Sequence, residues 1–263
     1  MAEYCRTEGI CLRRLAYSNT SQVAGFLTPD QGRLSFIAKG ITRAPKKGIR
    51  TGLELLGRYG LVYTRRPAGS LQNLTDQWLQ EEFRGLRRSL PRLLCGYYAA
   101  ELALNFTVEA DPCPRLYAAT LGALRRFAEG RRLGLTAVHL ELAVLREHGS
   151  LPAFDRCVAC GRDLPARGAV TFSAPDGGPL CRRCEQPEQG QSIPLRADLL
   201  AHLHTLATGE EEPVLTPKQT VALSTALRFQ MRYILGRELR MWTYLQRRRL
   251  SKSLRHARRH ASS

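Results

Sequence analysis

The sequence predicts an α+β multidomain protein, in which an OB-like small β-barrel precedes an α-helical domain. Three observations support this class: short strand-like segments before residue 72, apolar stripes at helical spacing after it, and two Cys-x-x-Cys pairs between residues 157 and 184. The 263 residues, of which 43% are hydrophobic, can bury a sizeable core in two domains. No run of about eighteen apolar residues occurs, so no membrane span is expected.

The barrel is predicted over residues 1–72. Its clearest signal is the Pro-Asp-Gln-Gly turn at residues 29–32, which lies between two short apolar segments and indicates a hairpin. The predicted strands lie at residues 10–17, 23–27 and 33–38, and two more are expected between residues 53 and 63. Five short strands within about seventy residues suit a small closed barrel.

The helical domain is predicted in two parts, residues 73–150 and 193–246. Spacing near 3.6 residues, together with N-caps and terminal glycines, marks its helices. They are expected at residues 71–90 and 93–106, from Asp111-Pro112 to Gly130, from 135 to Gly149, at 196–208, and from Thr216-Pro217 onward. Their apolar stripes are expected to form the core of the domain rather than a cofactor site.

Four cysteines form the most specific motif of the chain. Cys157 and Cys160 make one knuckle, and Cys181 and Cys184 make a second after twenty intervening residues. Two such pairs supply the four thiolates of a tetrahedral Zn²⁺ site, and the residues between them form a small β-structure. Gly161 and the Pro-Asp-Gly-Gly turn at 175–178 fit this arrangement. The sequence therefore predicts one structural Zn²⁺ in a zinc-ribbon-like module over residues 151–192.

Disulfides, an empty degenerate site, and iron or redox chemistry are the alternative readings of these cysteines. Residues 1–6 show neither the basic nor the apolar region of an export signal, so we expect a cytoplasmic protein with reduced thiols. A closed set of four cysteine ligands leaves no coordination position open. A structural metal is thus favoured over a catalytic one.

Charge is the second strong signal. The chain has 40 Lys and Arg against 23 Asp and Glu, a formal net charge of +17, which indicates a polyanionic partner and most often nucleic acid. Between residues 31 and 66 there are nine basic residues and one acid, Glu54. A second basic run occupies the C-terminal tail, residues 247–263, and includes Arg247, Arg248, Arg249 and Lys252.

Catalytic motifs are missing from the sequence. It has no phosphate-binding Gly-x-x-x-x-Gly-Lys loop, no His-Glu-x-x-His motif and no deaminase signature. Its six histidines show no ligand spacing, and Cys113, between two prolines, has no identifiable base as a partner. We therefore expect a protein that is not an enzyme.

The order of these parts resembles the RecO family of bacterial recombination mediators. The matching segments include Gly32 to Gly40, Pro114 to Tyr117 with Phe127 to Gly130, Leu140 to Leu142, and Pro152 to Gly161. Residues 18–21 depart from the family, which often has an acidic residue there, so no role is transferred to them. Some members lack the cysteines, which supports a structural metal.

The resemblance implies a DNA repair protein that binds single- and double-stranded DNA and anneals complementary strands. It also implies two partners, RecR and single-strand binding protein, and the loading of RecA onto coated strands. The phosphate contacts would come from Arg33, Lys39, Arg43, Lys46, Lys47 and Arg50. Phe36 and Tyr59 are the candidate base-stacking residues, and filling of the barrel is the favoured role for Phe36, because alternate strand positions point inward.

Two other function classes remain open at this point. One is a nuclease or glycosylase that carries a zinc ribbon, which would need clustered carboxylates or an activated base. The other is an RNA-binding zinc-ribbon factor of transcription or translation. Cleavage of labelled DNA would identify the first, and preference for structured RNA would identify the second.

Overall fold

The computed structural model describes residues 3–41, 52–67, 69–185, 191–209 and 212–244. The N-terminal strands are β1 (Tyr4–Ala16), β2 (Gln22–Thr28), β3 (Gly32–Ala38), β4 (Arg58–Thr64) and β5 (Gln72–Glu81). A 3₁₀ turn (Arg84–Arg88) leads into α1 (Leu90–Phe106), α2 (Pro114–Glu129) and α3 (Leu133–Glu147). There follow β6 (Ala169–Ser173), β7 (Gly178–Leu180), β8 (Ser192–Arg196), α4 (Ala197–Thr208) and α5 (Pro217–Leu235).

The five N-terminal strands form a closed barrel in the order β1-β2-β3-β5-β4. All pairs are antiparallel except β3 with β5, and β1 pairs with both β2 and β4. Four aromatic rings fill the interior, where Phe26 and Phe36 meet edge to face at 5.6 Å and Phe36 meets Tyr63 at 5.3 Å. The predicted OB-like barrel and the α+β class are therefore confirmed.

The source of the fifth strand was predicted wrongly. The segment between residues 53 and 63 supplies only β4, which begins at Arg58, and β5 comes from residues expected to be helical. In β5, Gln72 and Leu74 are buried, whereas Trp78 lies on the outside over Gly60. Pairing with the preceding strand β4 and with the more distant β3 overrides the local helical spacing. We propose to end the barrel domain at Glu81, rather than at residue 72.

The start of α2 was also misplaced. Asp111 and Pro112 were expected to open this helix, but it begins at Pro114 with Cys113 as its N-cap. The preceding residues are held against the barrel, because Ala110 N–H donates to the Arg33 carbonyl at 3.1 Å. A Cβ on Gly32 would lie 1.9 Å from the Asp111 carbonyl oxygen, so only glycine fits there.

Two other helix boundaries lie at the predicted caps, whereas α1 begins at Leu90 rather than at 93 and α3 begins at Leu133 rather than at 135. Gly130 ends α2 with a φ of 79°, and Thr216 forms a capping box with Gln219 at the start of α5. The helices share one core, which also contains the outward-facing Ile10, Leu12 and Leu27 of the barrel. The barrel is thereby joined directly to the helical domain.

Polar contacts extend this junction. Arg58 Nη2 lies 2.7 Å from Glu8 Oε2, and the Tyr117 hydroxyl donates to Glu8 Oε1 at 2.9 Å. Arg125 of α2 pairs with Glu81 of β5 at 2.7 Å. Because the Tyr117 and Arg125 contacts join α2 to β1 and β5, they fix the barrel's orientation on the helices.

Among the described residues, no helix has the length and apolar character needed to cross a bilayer.

Candidate metal centre and nucleic-acid interface

The four predicted cysteine ligands converge. The Sγ atoms of Cys157, Cys160, Cys181 and Cys184 all lie within 4.8 Å of one another, and no disulfide joins them. The Cys160 and Cys181 sulfurs are 3.8 Å apart. Zn–S bonds of about 2.3 Å in a tetrahedron place their sulfurs about 3.8 Å apart. The cluster therefore fits a metal ion held by four thiolates.

Tight turns position both knuckles. Gly161, with a φ of 71°, donates its N–H to the Cys157 carbonyl at 2.8 Å, and Cys184 N–H donates to the Cys181 carbonyl at 2.9 Å. The predicted hairpin is present: β6 pairs with β7 around Gly177, and β8 completes a three-stranded sheet. Each knuckle is thus presented by a short, locally closed segment.

The pKa values of two cysteines in the cluster are shifted in opposite directions. Burial would raise the pKa of Cys157, but backbone N–H donors outweigh it and lower that pKa to about 6. One of these donors is the N–H of Cys181, 3.3 Å from the Cys157 sulfur. Hydrogen bonds with Cys160 and Cys181 raise the pKa of Cys184 to about 12. Because a bound metal needs four thiolates, its binding releases protons and weakens in acid.

Two of the predicted phosphate contacts lie on β3 or beside it. Lys39 follows the end of β3 and is exposed. Arg33 is partly buried, and its Nη1 donates to the Leu104 carbonyl in the last turn of α1 at 2.6 Å. Arg33 therefore helps to hold barrel and helices together, a contact that its position in the sequence did not reveal.

The remaining basic candidates lie outside the described residues. They are Arg43, Lys46, Lys47 and Arg50 after the hairpin and Arg247, Arg248, Arg249 and Lys252 in the tail. The described residues nearest to Arg43, Lys46, Lys47 and Arg50 are Ile41 before them and Gly52 after them. Leu53 N–H donates to the Gln22 side-chain oxygen at 2.9 Å. The described residues on either side of this segment therefore lie near the end of β3 and the start of β2.

Neither candidate stacking residue is accessible to a base, and the favoured barrel-filling role of Phe36 is confirmed. Phe36 is fully buried, and Tyr59 is 3% exposed, with its hydroxyl accepting the Glu54 N–H at 2.8 Å. Both side chains fill the barrel interior, because alternate strand positions point inward. The aromatic residue that lines a cavity together with Lys39 is Tyr17, the last residue of the first predicted strand.

Tyr17 lies in a cavity of about 350 Å³ at one end of the barrel. Its lining residues are Tyr17, Thr20, Ser21, Ile37, Lys39 and Gly40. The sequence signal that could have found it is an aromatic residue next to a polar turn, Ser-Asn-Thr-Ser, that joins two strands. We call this feature the Tyr17 cavity.

A larger groove of about 620 Å³ lies between α1, α3 and α5. Apolar side chains such as Leu94, Leu133 and Val221 form much of its lining, and Arg132 and Arg228 supply positive charge. Trp242 lines it as well, with the Arg228 guanidinium carbon 3.0 Å from the centre of its ring. We call this feature the helical groove.

A buried polar network forms part of this groove. Glu141 of α3 is fully buried and accepts hydrogen bonds from the Tyr98 hydroxyl at 2.7 Å and the Ser224 hydroxyl at 2.6 Å. Arg228 Nη1 lies 3.4 Å from the same carboxylate oxygen. Burial raises the pKa of Glu141, while Arg228 opposes that rise. The network ties α1, α3 and α5 together at the inner side of the groove.

A closed five-stranded barrel that shares a core with a helical domain, together with a four-cysteine cluster, defines an α+β multidomain protein with an OB-like barrel. The chain belongs to the RecO family: the model "Recombination protein O N terminal" matches residues 1–81, and "Recombination protein O C terminal" matches residues 87–243.

Curated relatives agree with this assignment. The "DNA repair protein RecO" of Rhodopirellula baltica is 35% identical over 205 residues, which cover 78% of this chain and 75% of the relative. The protein of the same name from Anaeromyxobacter dehalogenans is 33% identical over 239 residues, covering 88% and 91% of the two chains. The one from Syntrophus aciditrophicus is 28% identical over 240 residues, covering 89% and 92%.

Proposed function

We propose that this chain is a DNA-binding recombination mediator that acts in DNA repair without catalysing a reaction. It binds single- and double-stranded DNA, anneals complementary strands and, together with RecR, helps to load RecA onto strands coated by single-strand binding protein. Its place of action is the nucleoid in the cytoplasm. The observation that carries this proposal is an exposed Lys39 at the end of β3, where the basic segment leaves the closed barrel.

The charge pattern supports phosphate binding at this end of the barrel. Within the part of the chain that the structure describes, Lys39 has no carboxylate partner, whereas Arg58 and Arg125 are paired with acids. Arg43, Lys46, Lys47 and Arg50 follow Lys39 within eleven positions of the sequence, with no acidic residue among them. Arg33, because it binds the Leu104 carbonyl, has the smallest proposed part in phosphate contact.

Charge reversal tests the phosphate contacts. Lys39→Glu, Arg43→Glu and Lys46→Glu together are expected to weaken binding to every DNA sequence alike, because phosphates carry no sequence information. On single strands, the slope of log K against log salt should flatten by about 0.7 for each lost contact. Fluorescence anisotropy at several salt concentrations measures both quantities.

Arg167→Glu is the control, because Arg167 is also exposed but lies before β6 in the cysteine module, to which no DNA strand is assigned. This variant should change the affinity for DNA and the slope of log K against log salt very little. A loss of affinity for only some sequences, or an unchanged salt slope in the triple variant, would contradict the phosphate proposal.

Annealing requires that two strands be held together. Cationic surfaces reduce the repulsion between strands, and two separate surfaces can hold one strand each. We assign one strand to the barrel and the second to the helical domain and the basic tail. Truncation before Arg247 is therefore expected to slow the annealing of complementary oligonucleotides and to reduce its salt dependence. If the truncated chain anneals at the same rate and with the same salt dependence as the full chain, the tail does not hold the second strand.

The helical groove is the proposed contact for single-strand binding protein. In the RecO family, an apolar pocket between helices is the expected receptor for the acidic tail of that protein. The apolar walls of this groove and the exposed Arg132 suit an acidic peptide with apolar side chains, whereas Arg228 is buried against Glu141 and Trp242. Arg132 is paired with Glu212, so the peptide would displace an existing ion pair there.

We propose that the metal is one Zn²⁺ held by Cys157, Cys160, Cys181 and Cys184. A closed tetrahedral thiolate site supplies folding energy and leaves no position for substrate. The four residues hold the two knuckles against the β6–β8 sheet, and the metal has no proposed part in DNA chemistry.

A further inference from the structure

The Tyr17 cavity brings one exposed aromatic ring and one exposed cation together on the barrel. The Tyr17 side chain is 66% exposed. Within residues 10–38, all of which the structure describes, Leu15 is the other large apolar side chain with similar exposure. Ile37, which is 8% exposed, supplies an apolar wall, and Lys39 lies two positions further along the chain. An aromatic face, an apolar wall and a cation together suit a base and its phosphate.

The local backbone presents Tyr17 on a closed turn. Its N–H donates to the Ser21 carbonyl at 2.9 Å, and Ser18 and Ser21 exchange backbone hydrogen bonds at 3.3 and 3.4 Å. These bonds join the end of β1 to the start of β2, so the backbone at Tyr17 is held by the barrel. Such an arrangement limits the ordering cost of binding.

Charge at the cavity favours an anionic occupant. Of the described residues that line it, none is acidic, and Lys39 is its cation. The two described ends of the basic segment lie nearby, because Ile41 follows Gly40 of the lining and Leu53 is bonded to Gln22 next to Ser21. A polypeptide partner with an acidic side chain would share this charge preference, but it would not need a flat aromatic face.

We propose that Tyr17 stacks on a base of single-stranded DNA in this cavity, while Lys39 contacts the adjacent phosphate. This inference rests on the proposed DNA-binding function and identifies the group that favours single strands. A base in a continuous duplex is stacked on both faces by its neighbours, so a protein ring gains this contact only where the strand is unpaired.

Tyr17→Ala tests the inference directly. Its affinity for an oligothymidine is expected to fall about tenfold, the scale of one lost base-stacking contact, with an unchanged salt slope. Affinity for a duplex with both ends closed by hairpin loops outside the contact region should stay the same. Tyr17→Phe and Tyr17→Trp should bind the oligothymidine like the unsubstituted chain, because both keep an aromatic face.

Tyr4→Ala is the matched control, because Tyr4 is 69% exposed and begins the same strand at its other end. It should leave both affinities unchanged. Photocrosslinking to an oligonucleotide that contains 5-iodouracil should give a peptide joined through Tyr17. Crosslinks at Tyr4 instead of Tyr17 would contradict the inference.

The outcomes separate this inference from the function on which it rests. If Lys39→Glu weakens DNA binding while Tyr17→Ala binds single strands normally, the stacking inference is wrong and the proposed function stands. If neither variant alters DNA binding, the proposed barrel interface itself is wrong. An equal loss for single strands and duplex in Tyr17→Ala, or equal weakness in Tyr17→Phe, would contradict stacking and assign Tyr17 to turn geometry or to its hydroxyl.

Discussion

Cys157→Ser is expected to lower the thermal midpoint of the protein and to release one zinc ion per chain. Cys157 is completely buried and is the sulfur that accepts the Cys181 N–H, so it is central to both knuckles. The binding free energy of structural zinc, about 10–16 kcal/mol in zinc-finger peptides, is mostly folding free energy. Its loss should open the segment from residue 151 to residue 185 before the rest of the chain.

This loss should extend partly into the helical domain. Phe154 and Phe172 belong to the same core as the helices, and the Gln230 side-chain amide donates to the Ala174 carbonyl at 3.3 Å. Hydrogen exchange should therefore show lost protection in β6 and β7 first and weaker protection in α5. Calorimetry and metal analysis complete the measurement.

Cys5→Ser is the matched control for this prediction. Cys5 is partly buried in the barrel, far along the chain from the cluster, and forms no disulfide. It should keep its metal and lose far less stability than Cys157→Ser. A Cys157→Ser protein that loses its metal but keeps the unsubstituted thermal midpoint would contradict the structural role of the site.

Glu141→Ala is expected to lower the free energy of unfolding by about 3–5 kcal/mol, the usual cost of removing one partner from a buried ion pair. The change leaves Arg228, which is 8% exposed, without its carboxylate and removes the acceptor for Tyr98 and Ser224. Stacking of the Arg228 guanidinium on Trp242 offsets only part of the cost of leaving that buried charge unpaired. Urea denaturation measures the difference.

Glu147→Ala is the control on the same helix, because Glu147 is exposed near the end of α3. Its effect should stay within about 0.5 kcal/mol. Glu141→Gln, which keeps an oxygen acceptor, should lose less stability than Glu141→Ala. Equal stability of Glu141→Ala and Glu147→Ala would show that the network does not support the helical domain.

The pH dependence of this network has a defined sign. Burial raises the pKa of Glu141 in the folded state above its unfolded value, so the folded protein binds this proton more tightly. Stability contributed in this way is present below the unfolded pKa and is lost as the pH rises through the folded pKa. The stability advantage of the unsubstituted chain over Glu141→Gln should therefore grow as the pH falls through that interval.

Local chemistry explains what the sequence predicted well. The cysteine spacing is almost sufficient to define a metal cluster, because each Cys-x-x-Cys turn already places two sulfurs on one side. Thr216, Pro217 and Gln219 are likewise a complete cap within four positions, and the structure confirms them as the start of α5. Such features need no knowledge of distant residues.

Long-range contacts explain the errors. Residues 72–81 have a helical pattern, yet they become β5 because β3 and β4 offer unpaired edges. Tyr59 is a candidate stacking residue from its sequence position, but closure of the barrel places its ring inside. The register of β1 with β2 and of β2 with β3 places Tyr17 and Lys39, 22 positions apart in the sequence, on the lining of one cavity, and the sequence does not specify that register.

The central claim is that DNA function lies with the cations of the barrel, and that the metal serves stability. The most direct test is the annealing rate of complementary strands coated by single-strand binding protein, measured below the unfolding temperature of every variant. We predict that Cys157→Ser anneals at nearly the unsubstituted rate, whereas the triple reversal at Lys39, Arg43 and Lys46 loses most of its activity. Loss of annealing in Cys157→Ser with thermal stability intact, beside normal annealing by the triple variant, would contradict the account.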